Sequence, residues 1–272
     1  MKVSVIVAVY KDIVSLRLII EALKNQTYIN FEVIVVEDGK LLEMQKYIRS
    51  IKNLEVKHTT QEDIGVRKAR SQNNGLLVSS GKYLIFIDGD CIPYSNFIEG
   101  HVYLSESNTV LSGRRVNIPI KKVPKIKDGS LKVIDIENNF LKYAFWAFNK
   151  EVRYRQGIYL NPKGWLYSII SKRKASVSIL GCNFSCFKED MIAMNGFDES
   201  YGETAIPDDM DWEWRFQAFG VKLKSCKNVA NIFHLDHKIH DRGDATPFLK
   251  IMNERKNVGR YICEEGLNTH NV

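Results

Sequence analysis

The chain has 272 residues, of which 44% are hydrophobic and 26% are charged, and its formal net charge is +7. This balance is ordinary for a folded protein and excludes a largely disordered or low-complexity chain. The first apolar run, residues 3–10, is too short to span a membrane, and we expect a cytoplasmic protein. The length fits one large α/β domain or two small ones.

Short runs rich in β-branched residues alternate with helical patterns through the first 90 residues. The segments VSVIVAV (residues 3–9) and FEVIVV (residues 31–36) are typical of strands buried on both faces of a parallel sheet. Between them Asp12 can cap a helix that has a broad apolar side. Two further helices and two further strands are predicted at residues 41–51, 66–79, 54–57 and 83–87. This alternation predicts an open, mostly parallel sheet.

Acidic pairs follow two of the predicted strands. Glu37 and Asp38 close the second strand, and Asp88 and Asp90 close the strand that ends at residue 87. Ligands of such sheets bind outside the carboxyl ends of the strands. An isolated Asp-x-Asp is usually a turn or a helix cap. Here the buried strand before it and Gly89 within it predict a metal–phosphate site, because a hard cation offsets the repulsion between carboxylates.

Positive charge is concentrated in residues 114–174, which hold 15 Lys and Arg against 4 Asp and Glu. Aromatic residues interleave with these cations in NNFLKYAFWAFNKEVRYRQGIYLNPKGWLY. The composition suits a membrane surface, stacking on sugars or contacts with phosphate. A solvated basic face over a small apolar cluster would have the same composition. The five cysteines are an odd number spread over a long chain, and we expect reduced thiols.

Several segments together resemble the nucleotide-sugar glycosyltransferases of family 2, which have the GT-A fold. The segments are VSVIVAVY, QTYINFEVIVVEDG, GVRKARSQNNGLLVSSGKYLIFIDGD and GCNFSCFKEDMIAMNGFDESYG. The series FIDGDCIP, GCN and NGFDE also looks like bacterial members whose C-terminal part is similar to that of β-1,4-galactosyltransferases. The resemblance implies a Rossmann-like, mostly parallel sheet flanked by helices. It also implies inverting transfer of a hexose or N-acetylhexosamine from a UDP-sugar.

The resemblance places a UDP-sugar at the ends of the first strands. Asp38 is expected to bond the uracil edge, because a carboxylate accepts a hydrogen bond from the uracil N–H. Arg70 departs from the family spacing, since ARSQNNG holds two more residues than usual between Arg and Gly, and a surface role for it stays open. The implied nucleotide-sugar-binding residues are Val9, Tyr10, Asp12, Glu37, Asp38, Arg70, Asp88, Gly89 and Asp90.

The same resemblance implies that Mn²⁺ or Mg²⁺ is held against the donor diphosphate. Asp90 is expected to be the more direct ligand, with Asp88 on the ribose or on a metal-bound water. His234 or His237 is expected to add a ligand, because neutral imidazole suits Mn²⁺. An alternative is a zinc site that combines these histidines with the two cysteines of GCNFSCF.

IPDDMDWEWRFQAFG places a cluster of acids at the start of a predicted helix. Such acids can serve only to cap the first turn and complement the helix dipole. The resemblance instead aligns Asp209 with a general base, which would deprotonate the acceptor hydroxyl. Asp208 stands where relatives usually carry Glu, so the neighbour that orients the acceptor stays open. The acceptor and sugar pocket is expected to include Gly181, Asn183, Asp211 and Trp212.

Three parts of the chain are expected from the family landmarks. Residues 1–113 would form the nucleotide-sugar-binding half, residues 114–175 a basic aromatic insertion, and residues 176–272 the acceptor or catalytic half with a C-terminal helical tail. The insertion is expected to lie over the acceptor side of the cleft and to touch an anionic membrane. Its contact residues are expected to be Phe140, Lys142, Tyr143, Phe145, Trp146, Phe148, Lys150, Arg153 and Arg155.

The implied acceptor is a glycan, and a lipid-linked glycan of bacterial surface polysaccharide or lipooligosaccharide synthesis fits best. Such an enzyme would work in the cytoplasm or at the inner face of the plasma membrane. Nucleic acid is not expected as a partner, because the positive charge is local. The alternative function is a non-catalytic α/β protein that binds polyanions or membranes through residues 114–174.

Overall fold

The computed structural model describes residues 1–148, 152–171, 177–204, 208–237 and 244–270. Strands and helices alternate in its first ninety residues, as the sequence predicts. These elements are β1 (Val3–Val9), α1 (Ile13–Lys24), β2 (Phe31–Glu37), α2 (Leu42–Ser50), β3 (Val56–Thr60), α3 (Lys68–Val78) and β4 (Tyr83–Asp88). The strand predicted at residues 54–57 begins two residues later, because Val56 is the residue that pairs with Val33 of β2.

The rest of the chain adds further strands and helices. They are β5 (Cys91–Pro93), α4 (Phe97–Leu104), β6 (Thr109–Ser112), β7 (Arg114–Ile118), α5 (Val123–Lys127), α6 (Val133–Asn138), α7 (Trp165–Ser171), β8 (Asn183–Phe187), α8 (Lys188–Ala193), α9 (Asp208–Ala218), β9 (Lys222–Ser225), β10 (Asn231–Leu235) and α10 (Thr246–Asn257). Short 3₁₀ helices cover Phe140–Phe148, Tyr154–Gly157 and Leu267–Thr269.

Two sheets organise the described residues. The larger has seven strands in the order β3-β2-β1-β4-β8-β6-β9, with β8 antiparallel to both of its neighbours and the remaining pairs parallel. This confirms the predicted mostly parallel α/β sheet. The smaller sheet has the order β5-β10-β7, and in it β10 runs parallel to β7 and antiparallel to β5. It brings the end of β10 beside the chain that follows β4.

Apolar side chains fill both faces of the large sheet. Side chains alternate along a strand, so Val5 and Val7 of β1 join one apolar cluster while Ile6 joins the cluster on the other face. All three are fully buried, and each such side chain contributes roughly 1.5–3 kcal/mol relative to an exposed one. Gly75 lets α3 approach the sheet, because a Cβ there would lie 2.5 Å from Val36 Cγ1.

The basic aromatic segment is folded against the small sheet over part of its length. Arg114–Ile118 forms β7 itself, and Phe140 stacks on Tyr154 with ring centroids 3.9 Å apart. Trp146 is buried, whereas Phe145 and Phe148 are exposed. The expectation that all five aromatic side chains are available to a membrane is therefore wrong for Trp146, while Phe140 and Tyr143 are half-buried. Lys150 lies outside the described residues.

Candidate active site

A cleft of about 1050 Å³ opens where β1, β2 and β4 end. Its walls come from the loop after β1, the turn after β4, the first residues of α9 and the chain after β10. The sequence placed most of its candidate residues at these positions. Those that line the cleft are Val9, Tyr10, Asp12, Asp38, Asp88, Gly89, Asp90, Asp208, Asp209 and His237.

Asp38 lies at one end of the cleft, held by two donors. Gln61 Nε2 donates to its Oδ1 at 2.6 Å, and the backbone N–H of Arg67 donates to its Oδ2 at 2.7 Å. Asp12 accepts from the backbone N–H of Ser15 at 3.0 Å, and so caps α1 as the sequence predicts. These contacts fix two carboxylates at the mouth of the sheet, and Gln61 is a contact that sequence reasoning missed.

Glu37 and Arg70 do not line the cleft. Glu37 is buried beneath the β2–α2 loop, where it accepts from the backbone N–H of Leu41 at 2.7 Å and lies 2.9 Å from His58 Nε2. The Arg70 guanidinium points to the other side of α3 and pairs with Glu199 at 2.9 Å. Both side chains therefore have partners that hold the fold together.

One carboxylate and two imidazoles meet beside the turn after β4. Asp90 Oδ2 lies 3.3 Å from His234 Nε2 and 3.2 Å from His237 Nε2. The pairing of His234 with Cys91 across β10 and β5 produces this approach. Burial alone would raise the pKa of Asp90, but the hydrogen bonds of the two imidazoles hold it well below its usual range.

The three candidate ligand atoms of Asp90, His234 and His237 lie within 4.8 Å of one another. Two imidazole nitrogens and a carboxylate oxygen are a donor set that fits Mn²⁺ and other first-row divalent ions. The zinc alternative needs Cys186, which is fully buried in the apolar cluster on the opposite face of the sheet from Cys182. The chain therefore brings both candidate histidines, but not both cysteines, to Asp90.

Asp88 has a different partner, which sequence reasoning missed. Lys68 Nζ lies 2.8 Å from Asp88 Oδ1 and 3.3 Å from Asp208 Oδ2. Burial alone would lower the pKa of Lys68, but the charges of Asp208 and Asp88 hold it well above its usual range. The segment GVRKAR could have indicated this contact. Cations at the start of a helix are unfavourable next to the positive end of its dipole, so acids are expected near them.

Asp208 and Asp209 begin α9 on the far wall of the cleft. Gly181 leaves room for the second carboxylate, because a Cβ there would lie 2.2 Å from Asp209 Oδ1. Burial raises the pKa of Asp208 to about 7, with Lys68 opposing the rise and Asp209 adding to it. This wall therefore holds two adjacent acids, and the charges of Lys68 and Asp209 act on the pKa of Asp208 in opposite directions.

Three residues of the predicted acceptor pocket lie in the protein interior instead. Asn183 is fully buried and donates to the carbonyls of Arg114 and Ala230, both at 3.0 Å. Asp211 accepts from the Tyr201 hydroxyl at 2.8 Å. Trp212 is buried against aromatic rings of the core. None of these three side chains lines the cleft itself, but Asp211 and Trp212 line a small cavity beside it that also contains Lys68 and Asp208.

Two further basic residues that the sequence did not single out line the cleft. Lys127 Nζ, at the end of α5, lies 2.7 Å from Asp12 Oδ2. Arg115 of β7 reaches the same cleft from the small sheet, with Nη1 3.8 Å from Cys182 Sγ. In the sequence, Lys127 and Arg115 fall within the basic insertion. Only the tertiary structure shows that they line the same cleft as the acids.

Known proteins resemble this chain in sequence. Residues 4–160 match the model of glycosyl transferase family 2. An uncharacterized glycosyltransferase of Rickettsia bellii is 35% identical over 136 residues, which are 47% of this chain and 19% of that protein. The glycosyltransferase AglE of Haloferax volcanii is 35% identical over 103 residues, or 36% of this chain and 33% of that protein. The chain thus matches a minor part of these relatives.

Solved structures share the fold. TarS residues 1–349 of S. aureus in complex with UDP-GlcNAc superpose with a TM-score of 0.63 and 14% identity, covering 98% of this chain and 69% of that one. The mannosyltransferase PcManGT of Pyrobaculum calidifontis, in complex with GDP-Man and Mn²⁺, gives 0.55 and 15%, covering 95% and 62%. The fold is therefore of the GT-A type. Because the family match takes in more than half of its residues, the chain belongs to glycosyl transferase family 2.

Proposed function

We propose that this chain is a metal-dependent, inverting glycosyltransferase that moves a hexose or N-acetylhexosamine from a UDP-sugar to a glycan acceptor. One observation carries the proposal. One cleft brings together the acids Asp208 and Asp209 and the carboxylate–imidazole triad of Asp90, His234 and His237. Of this triad, Asp90 and His237 line the cleft. Family membership and the TarS structure with UDP-GlcNAc support a nucleotide-sugar donor.

The uridine would bind at the ends of β1 and β2. Tyr10 is 54% exposed there and offers a ring face for the base. Asp38 keeps lone pairs that can accept from the uracil N–H, although Gln61 and Arg67 already donate to it. Asp12 and Asp88 are the nearby acids for the ribose hydroxyls. In this proposal Glu37 and Arg70 support the loops and do not touch the donor.

Asp90, His234 and His237 would hold the divalent cation. The imidazoles favour Mn²⁺ over Mg²⁺, which prefers oxygen ligands. When bound, the cation would neutralise negative charge that develops on the departing diphosphate. Asp88 pairs with the Lys68 ammonium, which would orient the carboxylate towards the donor.

Asp209 is proposed as the general base. Its carboxylate would accept the proton of the acceptor hydroxyl while that oxygen bonds to the anomeric carbon and the diphosphate oxygen leaves with the bonding electron pair. In-line displacement of this kind inverts the anomeric centre. Gly181 supports the assignment, because any side chain at this position would overlap with the Asp209 carboxylate. Asp208 would act beside it through Lys68.

The acceptor is proposed to approach from the side of the basic aromatic insertion, residues 114–175, with the donor bound by residues 1–113 and the base supplied by residues 176–272. A lipid-linked glycan of bacterial surface polysaccharide synthesis fits this arrangement. Within the described residues no helix is long and apolar enough to cross a bilayer. We place peripheral contact with an anionic membrane at α7, where Trp165 is 75% and Ile169 53% exposed.

Titration calorimetry of UDP with and without Mn²⁺ tests the proposal. We expect UDP to bind tightly only with Mn²⁺, and Asp90→Ala to lose that metal dependence while keeping its fold. Release of UDP should then be screened across UDP-sugars, with GDP-mannose as the control donor. Salt-sensitive binding to any polyanion without affinity for UDP would instead support the non-catalytic alternative and overturn the proposal.

A further inference from the structure

The basic side chains in the cleft differ in what they contact. Lys68 is paired with Asp88 and Asp208, and Lys127 is paired with Asp12. Across the described parts of the chain, Arg115 has no carboxylate within salt-bridge distance, and its Nε is buried without a hydrogen-bond partner. Its contact with the Cys182 thiol at 3.8 Å is weak. The Arg115 guanidinium therefore makes no direct ion pair with a described residue, although Asp90 lies near enough for its charge to act on it.

The small sheet fixes where this guanidinium points. Arg115 pairs with Ile232, and two residues further on Asn117 pairs with His234. Side chains two residues apart in a strand lie on the same face, so Arg115 and His234 project from one side of the sheet. That side carries the Asp90–His234–His237 triad. Arg115 therefore lies in the cleft on the side of the proposed cation site.

Arg115 is half-buried, and its Nε–H is shut away from water without a partner, which is costly unless the acceptor of a ligand meets it. Its planar fork matches two oxygens of a phosphate group better than a single acceptor. Other buried polar atoms of the fold also lack a partner, but Arg115 differs from most of them in that its side chain lines the cleft. The ligand that completes Arg115 is therefore an oxyanion that enters the cleft.

We propose that Arg115 binds the diphosphate of the donor and stabilises it as it leaves, an inference that rests on the proposed function. Transfer breaks the bond between the anomeric carbon and the diphosphate oxygen, and the electron pair stays on that oxygen. The acceptor oxygen forms the new bond, and its proton passes to Asp209. The added negative charge then lies between Arg115 and the carboxylate–imidazole triad, where N–H donors of the fork can meet it.

Arg114 offers a matched control on the same strand. Its guanidinium donates to the carbonyl of Gly113 at 2.7 Å and to that of Ser178 at 3.3 Å, and it does not line the cleft. Arg115→Met keeps the length of the side chain and removes the fork, whereas Arg115→Lys keeps the charge alone. Arg114→Met removes the same charge from the strand without changing the cleft.

Calorimetry with Mn²⁺ should measure binding of UDP, uridine and inorganic pyrophosphate to each variant. We expect Arg115→Met to weaken UDP and pyrophosphate binding by about tenfold to a hundredfold, as for loss of a charge-assisted hydrogen bond. Uridine binding should not change. Arg115→Lys should be intermediate, and Arg114→Met should match wild type. The melting temperature of Arg115→Met without ligand should equal or exceed that of wild type, because the variant removes a buried N–H that has no hydrogen-bond partner.

Equal UDP affinity in Arg115→Met and wild type would overturn the inference and leave the proposed function standing. A parallel loss of uridine affinity, or a fall in melting temperature in both Arg115 variants, would overturn it as well, because the residue would then be structural. If wild type fails to bind UDP, the proposed function fails by itself. Pyrophosphate binding then decides separately whether Arg115 forms an anion site.

Discussion

Lys68 Nζ lies 2.8 Å from Asp88 Oδ1, so the ammonium at the start of α3 is bound to the first acid of the Asp-x-Asp sequence. The second acid, Asp90, turns instead to two imidazoles. The two acids of one motif therefore have different partners although they are one residue apart. This division is the reason why we propose Asp90, and not Asp88, as the cation ligand.

Lys68→Met should lower the transfer rate by at least tenfold, because Asp88 and Asp208 would lose the charge that orients them. Without the ammonium between them, the two carboxylates would repel each other and turn apart. Donor turnover and UDP affinity should be measured for this variant, for Lys68→Arg and for Lys46→Met, which removes an exposed lysine of α2. Normal turnover in Lys68→Met would contradict a role for the bridge.

The base is tested by comparing two adjacent isosteric changes. Asp209→Asn cannot accept the acceptor proton, so kcat should fall by roughly a hundredfold or more while UDP affinity stays near that of wild type. Asp208→Asn should have a smaller effect on kcat, because Asp208 acts on the site through Lys68. If Asp208→Asn is the more damaging change under saturating donor and acceptor, the two roles must be exchanged.

Strand patterns made the donor side of this fold predictable from sequence. The apolar runs of β1, β2 and β4 can be read without knowledge of the rest of the chain, and the acids after them must lie at one edge of the sheet. The triad required more. His234 meets Asp90 only because β10 pairs with β5. These two strands are about 140 residues apart in the sequence, and no local pattern predicts that they pair.

Buried polar residues were the hardest to interpret from sequence. Asn183 and Asp211 stand next to functional motifs, and a polar side chain in a sequence carries no sign of whether it faces a ligand or a backbone carbonyl. Lys68 and Arg115 were missed for the opposite reason, since surface solvation is the usual fate of a basic side chain. Only the tertiary contacts show which of these polar side chains line the cleft and which are used inside the fold.

His101 gives a test of stability against pH. It is fully buried, with Nε2 3.0 Å from Asn183 Oδ1 and Nδ1 2.7 Å from Ser185 Oγ. Burial lowers the pKa of His101 to about 3, and the hydrogen bond with Asn183 opposes this only in part. In the unfolded chain the imidazole takes up a proton below about pH 6.5.

The unfolded state therefore binds more protons than the folded state between the two pKa values of His101, and stability falls as the pH falls through this window. From this residue alone the free energy of unfolding should drop by about 2 kcal/mol between pH 7 and pH 5. Urea unfolding at both pH values should show that drop reduced by the same amount in His101→Gln. An unchanged drop would mean that His101 is not held neutral in the folded protein.

The membrane contact proposed for α7 depends on the exposed apolar side chains of this helix. Its exposed side chains are Trp165, Leu166, Ile169 and Ile170. They recur at helical spacing, and Lys163 lies exposed just before the helix. An apolar helix face beside cations favours the interface of an anionic bilayer over neutral lipid or water.

The double change of Trp165→Ser and Ile169→Ser should lower binding to vesicles that contain phosphatidylglycerol by at least tenfold, because each large apolar side chain contributes on the order of 1.5–3 kcal/mol when fully buried. Ile192→Ser is the matched control, since Ile192 is equally exposed on α8. Sedimentation with vesicles measures the binding, and release of UDP from the donor in solution should be unchanged in all variants. Equal sedimentation of the double variant and the control would show that the apolar face of α7 serves another contact.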